Sequence, residues 1–493
     1  MRTVVNKKAL NPSVKRNAVL NIIYKISSMI FPLIVYPYVS RVLLSGGLGK
    51  VAFFTNITNY AMLIGSLGIS TYGIRATAKV RDDKEKLSKV VKELFTINSI
   101  VTLLVLVFLF LSLLFVDKFR TDTALFFICC GQVAIAPLSM DWLYGGLEQY
   151  GYITRRAITF KVISLVLIFA FVHTQSDYVI YALITAFGYV GNYICNFIHS
   201  RKFVTRKVKG KLNLRIHLKP TLLLFASLLA VSIYTNVDSI MLGFINGDNA
   251  VGLYDVAVKA KTVLLSLINA ISAVLLPRLS YYVAQKNEGE YKSILRKSIR
   301  VIAIIAVPLT IFFELEALDC ILVLGGEHYR SATLCMMILM PILLISGFSN
   351  ITGNQILIPH GMDSCFTKAV TLGAIVDIVL NALFMPKFSL YGAAMATLIA
   401  EITQMMVQAI YSKKYLRGEF DLNAGVKIVI AAFIPGICIF FLRRKLNINA
   451  LINLIIYFTI FGLIYWGMLY FFKFEEVRNI QSTVKEILKG KQQ

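Results

Sequence analysis

Apolar runs of about 20 residues follow one another along almost the whole chain, divided by short polar stretches. A run of about 20 residues forms a helix long enough to cross the hydrocarbon core of a bilayer. The pattern predicts an all-α integral membrane protein with about 14 transmembrane helices, near 17–43, 49–73, 94–116, 124–144, 158–174, 178–199, 220–245, 251–277, 299–320, 331–353, 367–386, 390–412, 426–442 and 450–472. The eighth, "VGLYDVAVKAKTVLLSLINAISAVLLP", carries Asp255, Lys259 and Lys261 inside its apolar sequence. A charge at the middle of a membrane helix costs roughly 2.5–3.5 kcal/mol on insertion scales, so it faces protein or water rather than lipid. Lysines placed there need a reason.

Several spans also carry one polar stripe at helical spacing. Asn21, Lys25, Ser28, Pro32, Tyr36 and Ser40 form it in the first span, and Thr55, Asn59, Ser66 and Ser70 in the second. Thr185, Tyr189, Asn192 and Asn196 share a face of the sixth, Asp255, Lys259, Thr262, Ser266 and Asn269 of the eighth, and Thr397, Glu401, Gln404 and Gln408 of the twelfth. Steps of three or four residues put side chains on one side of a helix. Ser, Thr and Asn in such positions also tie helices together. An intramembrane ammonium is a stronger signal, because it tends to face a water-filled cavity or a substrate path. Lys25 and Lys259 are therefore predicted to line an internal cavity suited to an anion. Lys261 points about 160° away from Lys259 on an ideal helix. Asp141, Asp238, Glu314 and Asp377 are candidate counter-charges.

Composition agrees with the pattern. The 493 residues are 57% hydrophobic and 16% charged, against about 25% charged in soluble domains. A net charge of +25 would fit a nucleic-acid partner, but loops retained in the cytoplasm give the same excess. With the N-terminus inside, the inner segments hold 39 of the 51 basic residues, which predicts that both ends are cytoplasmic. The turn "RRKLNIN" at 443–449 runs against that rule. The basic flank of the first apolar run is followed by no small-residue cleavage site, so it reads as a span that stays. The seven cysteines form no CxxC or Cys/His cluster, which indicates neither a disulfide framework nor a zinc site. The five histidines lie near span ends without a Ser or carboxylate at catalytic spacing. No cofactor is expected. Outer loops of about 4–11 residues and inner ones of at most about 23 leave no room for a soluble domain.

An internal repeat organises the spans. Residues 38–63 and 236–265 share an apolar run, a Gly-rich turn, a glycine opening the next helix and then a polar-faced helix, with Gly49 matched to Gly252. The match lays span 7 on span 1 and span 8 on span 2. An even number of spans per unit gives a parallel repeat, the arrangement of transporters whose substrate lies between two lobes. The predicted division is an N-terminal lobe at 1–199, a basic cytoplasmic linker at 200–219, a C-terminal lobe at 220–412, and spans 13–14 with a cytoplasmic tail at 413–493.

Seven blocks in order, "FPLIVYPYVSRVL", "LGISTYGIRATAKVRDD", "DWLYGGLEQYGYITRRAITFK", "VDSIMLGFINGDNAVGLYDVAVK", "VLLPRLSYYV", "NQILIPHGMDS" and "YGAAMATLIAEITQMMVQ", cover roughly residues 15–412. They resemble the Wzx-type polysaccharide flippases of the MOP superfamily, which also holds the MATE drug exporters and the lipid II flippase. The style is that of Gram-positive capsule and exopolysaccharide clusters. The resemblance implies a V-shaped, MATE-like transporter of two six-helix lobes plus a C-terminal helix pair. It would move oligosaccharide repeat units on undecaprenyl pyrophosphate across the bacterial cytoplasmic membrane by alternating access. Membrane lipids, a polysaccharide polymerase and glycosyltransferases are the implied partners. Members differ in their cavity cations, so Lys25, Arg41, Lys259 and Lys261, with Asn59 and Asn192, are substrate-binding candidates by position. Arg75 and Arg81 stand at the cytoplasmic mouth, to meet the pyrophosphate or to anchor the loop. Glu401, Asp255 and Asp238 are the candidates for Na⁺ or H⁺ coupling, with Asp255 also placed to hold Lys259 at i,i+4. Two other classes remain open: a cation-coupled MATE drug exporter, which would want an acidic, aromatic cavity, and an integral membrane polysaccharide enzyme.

Overall fold

The computed structural model describes residues 14–205, 210–443, 449–474 and 476, and its regular structure among them is entirely helical. A backbone in lipid must satisfy its own N–H and C=O groups, which a helix does within one segment. The chain divides into two compact units, one ending at Gly252 and the other beginning at Leu253.

The first unit starts with α1 (Val14–Ser66), whose 53 residues would span roughly 80 Å if straight. It breaks at Leu44 (φ 57°), so its two arms match the first and second predicted spans. After α2 (Ile69–Ala78), α3 (Lys84–Ser112) starts where the Asp83 carboxylate accepts the Glu85 and Lys86 N–H groups. Next come α4 (Asp117–Thr121), α5 (Thr123–Ile135), α6 (Asp141–Gly146), α7 (Tyr150–Phe171) and α8 (Tyr178–Ser200). Helix α9 (Arg215–Ile245) packs along α1, and the first residues of α10 (Asp248–Ala284) complete the unit. One core gathers Phe53, Phe54, Phe119, Leu125 and Phe126, and another gathers Ile69, Leu87, Leu94, Trp142 and Leu143. One face of α3 (Leu103, Leu104, Val107, Phe108, Leu111) is bare. Lipid is the medium that such a face needs.

The second unit holds the rest of α10, then α11 (Glu288–Leu315), α12 (Ala317–Leu324), α13 (Ala332–Leu339) and α14 (Ile342–Asn350). A π-helical segment, Ile351–Leu357, extends α14. Helix α15 (Asp363–Leu416) breaks at Ser389 (φ 51°) into arms that match spans 11 and 12. Helices α16 (Leu422–Leu442) and α17 (Ala450–Phe471) pack on each other and on α11 around Phe312, Ala431, Ile439, Tyr457 and Phe461. Asp421 and Asn449 cap their N-termini by accepting the Ala424 and Leu451 N–H groups.

Among the described residues 11 helices are long and apolar enough to cross a membrane. Those that contain the breaks at Leu44 and Ser389 each supply two predicted spans. Helix α7 also has the required length (22 residues), but Arg155, Arg156 and Lys161 keep it out of the apolar set. Together these helices account for the spans expected from the sequence, in a multi-pass membrane fold.

Candidate functional site: intramembrane polar residues

In the first unit the break in α1 brings Ser45–Gly49 against Asp248–Gly252. The Ser45 hydroxyl donates to Asn249 Oδ1 at 2.7 Å. Beside this contact the Lys118 ammonium stands 2.7 Å from Asp248 and also donates to the Gly243 carbonyl at 2.6 Å. Lys50 pairs with buried Asp122 at 2.7 Å. The polar stripes of the second and sixth spans converge, because Thr55, Asn59, Thr185 and Tyr189 line one small cavity with Gln132. Asn192 does not join them: its amide donates to the Gly188 carbonyl one turn back. Asn196, on the same predicted stripe, donates to the Ser139 carbonyl and, at 2.8 Å, to Asp141. Asp141 also meets Arg156 at 3.1 Å.

The cationic candidates are differently placed. Arg41 is exposed, with one guanidinium nitrogen 2.5 Å from the Pro37 carbonyl. The Lys25 side chain lies outside the described residues. Lys161 of α7 donates to the Ser28 hydroxyl at 2.7 Å, on the polar stripe that holds Lys25. That contact adds a lysine of the fifth predicted span to the candidate cations. At the predicted mouth Arg75 is exposed, and Arg81 pairs with Glu148 at 2.8 Å.

Nothing in the sequence pointed to the group formed by α2, α3 and α9. His217 bonds Glu93 Oε2 at 2.9 Å and the Tyr72 hydroxyl at 2.9 Å, while the Asn213 N–H donates to Glu93 Oε1 at 2.8 Å. Glu93 and His217 are both buried. The pair joins residues 124 positions apart, a relation that no periodicity encodes. Asp238, further along α9, is also buried.

In the second unit Asp255 is buried and its carboxylate stands 3.9 Å from the half-exposed Lys259 ammonium, one turn on. That distance is an ion pair but not a hydrogen bond, so the ammonium keeps donors for another partner. Lys261 is half-buried. The stripe on α15 packs against α14 and the π segment. Glu401 accepts from Ser346 at 3.1 Å, and Gln408 accepts from Ser349 at 3.0 Å and Thr352 at 2.9 Å. The network runs on to α10, where Asn350 donates to Asn269 at 2.7 Å and Gln355 to Ser272 at 3.0 Å. Asp377 and Asn381, one turn apart on α15, are wholly buried. Hydroxyls inside the apolar run 331–353 gave little sequence signal, although Ser346, Ser349 and Asn350 do recur at helical spacing.

Solved structures share this all-helical fold. One titled "Lipid II flippase MurJ, inward closed conformation" matches with a TM-score of 0.76 at 16% identity, covering 92% of this chain and 98% of that one. An inward-facing multidrug resistance MATE family transporter of the MOP superfamily matches with a TM-score of 0.60 at 14% identity, covering 80% and 94%. Both share this chain's fold. The chain belongs to the family described as "Polysaccharide biosynthesis protein", whose model matches residues 14–283. Among curated relatives, the "Putative O-antigen transporter" of Escherichia coli K12 is 24% identical over 411 residues, 82% of this chain and 98% of that protein. A protein of the same name from Shigella dysenteriae is 26% identical over 396 residues, 79% and 97% of the two chains. By their names these relatives are transporters rather than enzymes.

Proposed function

We propose that the protein is a flippase that carries undecaprenyl-pyrophosphate-linked oligosaccharide repeat units across the bacterial cytoplasmic membrane by alternating access, for capsular or exopolysaccharide synthesis. The observation that carries this reading is the family match over residues 14–283. Relatives named as O-antigen transporters, aligned over nearly their whole length, support it. Lys25, Arg41, Lys259 and Lys261 receive the pyrophosphate, with Asn59 and Asn192 on the sugars and Arg75 and Arg81 at the cytoplasmic entrance. The half-exposed Lys259 beside buried Asp255 supports an ammonium held ready for an anion, since charge-assisted bonds to phosphate are the strong ones. Both termini are cytoplasmic, and residues 1–199 and 220–412 are the two repeats. The cycle draws on Na⁺ or H⁺ through Glu401, Asp255 or Asp238, and a polymerase and glycosyltransferases work on either side of it.

The test is transbilayer movement of a labelled undecaprenyl-pyrophosphate oligosaccharide in proteoliposomes. The protein should accelerate it well above protein-free vesicles, and Lys259→Ala should reduce that rate. No acceleration with the intact protein, or acceleration of a cationic drug instead, overturns the reading.

A further inference from the structure

We propose that Glu316, Asp319 and Tyr457 form a proton-binding site in the second unit, one proton being held between the two carboxyls. Glu316 is 0% exposed and occupies the junction between α11 and α12, as the residue preceding Ala317. Neither of its carboxylate oxygens has a hydrogen-bond donor. Asp319, one turn further along, is also buried, and its carboxyl lies within hydrogen-bonding reach of that of Glu316. The second observation comes from another helix. Tyr457 of α17 is 0% exposed, its hydroxyl has no hydrogen-bond partner, and it feels the charges of both carboxyls.

Two buried carboxylates at that separation cannot both ionise, because each charge opposes the other and burial opposes both. A single proton resolves the conflict: the neutral carboxyl donates to the charged one, with the unpaired phenol of Tyr457 close enough to feel both. The remaining negative charge has its partner in Arg443 at the end of α16, which acts on Glu316 and donates to the Leu315 carbonyl at 2.7 Å. Cys320, next to Asp319, is buried too. Glu314, one turn-fraction before the site, leaves one buried oxygen without a donor. The site joins α11, α12, α16 and α17. Loss of the proton would leave two carboxylates facing one guanidinium in a buried seam.

The test uses the full chain in nanodiscs. The folded protein holds a proton that the unfolded chain gives up at about pH 4, so the stability it confers is present at low pH and falls as pH rises. Infrared difference spectra should show the carbonyl band of a buried neutral carboxyl, and Glu316→Gln should remove it. The same variant should flatten the loss of several degrees in Tm that the wild type shows as pH rises. Tyr457→Phe keeps both carboxyls and should shift the band without removing it, which decides the matter if Glu316→Gln does not fold. A wild type without the band, a band unchanged in either variant, or a sodium-dependent rise in Tm that Glu316→Gln abolishes would overturn the proposal.

Discussion

Gly49 and Gly252 make the same contact in opposite directions. A Cβ on Gly49 would stand 1.8 Å from the Asp248 carbonyl oxygen, and one on Gly252 would stand 2.0 Å from the Ser45 carbonyl oxygen. Ser45 precedes Gly49 by the same step that separates Asp248 from Gly252, so the contact is reciprocal in the manner of a two-fold interface. Only backbone fits at either position. Gly49→Ala and Gly252→Ala should each lower stability by about 1–3 kcal/mol, the usual cost of forcing added volume into a packed site. Gly131→Ala, inside α5 where nothing stands within 4 Å of the added carbon, should not lower Tm, since alanine favours the helix over glycine. Thermal unfolding of the three purified variants checks this.

The Asp255–Lys259 pair predicts an asymmetry between its two members. Lys259 is half-exposed, so Lys259→Ala should leave abundance near wild type while reducing complementation of a flippase-null strain. Asp255 is buried, and Asp255→Asn should give the weaker form of the same defect if its task is to hold the ammonium. Quantified membrane abundance measured beside complementation separates lost function from lost fold.

Glu401 accepts a bond that glutamine can also accept through its amide oxygen. Glu401→Gln should therefore keep the Ser346 contact and fold normally. Glu401→Ala, which strands a buried hydroxyl, should cost about 1–3 kcal/mol. If Glu401 couples an ion, the Gln variant should lose its response to an imposed gradient in proteoliposomes. A full response would remove Glu401 from the coupling role.

Glu93 holds His217 and the Asn213 N–H at once. Glu93→Ala should destabilise the protein by about 3–5 kcal/mol, as for other buried pairs broken from one side. Glu93→Gln, which retains an acceptor, should cost less. Protease sensitivity at the start of α9 would report the loss independently of global unfolding.

Much of the fold was legible because run length in an apolar sequence reports helices directly. The breaks at Leu44 and Ser389 fell at predicted turns, although neither residue is one that favours positive φ. Among the polar residues, periodicity put Asp255 with Lys259 and grouped Glu401, Gln404 and Gln408 on one face. It could not show what that face meets. Ser346, Ser349 and Thr352 look like ordinary small residues in an apolar run, and the π segment changes which side of the helix the following residues present. Glu93 and His217 come from separate helices and were legible to no local rule. Lys161 of α7 lies inside the fifth predicted span, but its partner Ser28 comes from a separate helix, and no periodicity links the two.

That last helix has a consequence for how the protein is made. With three cationic side chains in its first twelve residues, α7 partitions poorly into lipid by itself. Its partners Ser28 and Asp141 both precede it in the chain, so they have already left the ribosome when α7 emerges. Insertion of α7 thus becomes a docking step onto earlier segments, and a truncated chain lacking the first arm of α1 should leave α7 unintegrated in a glycosylation-mapping assay.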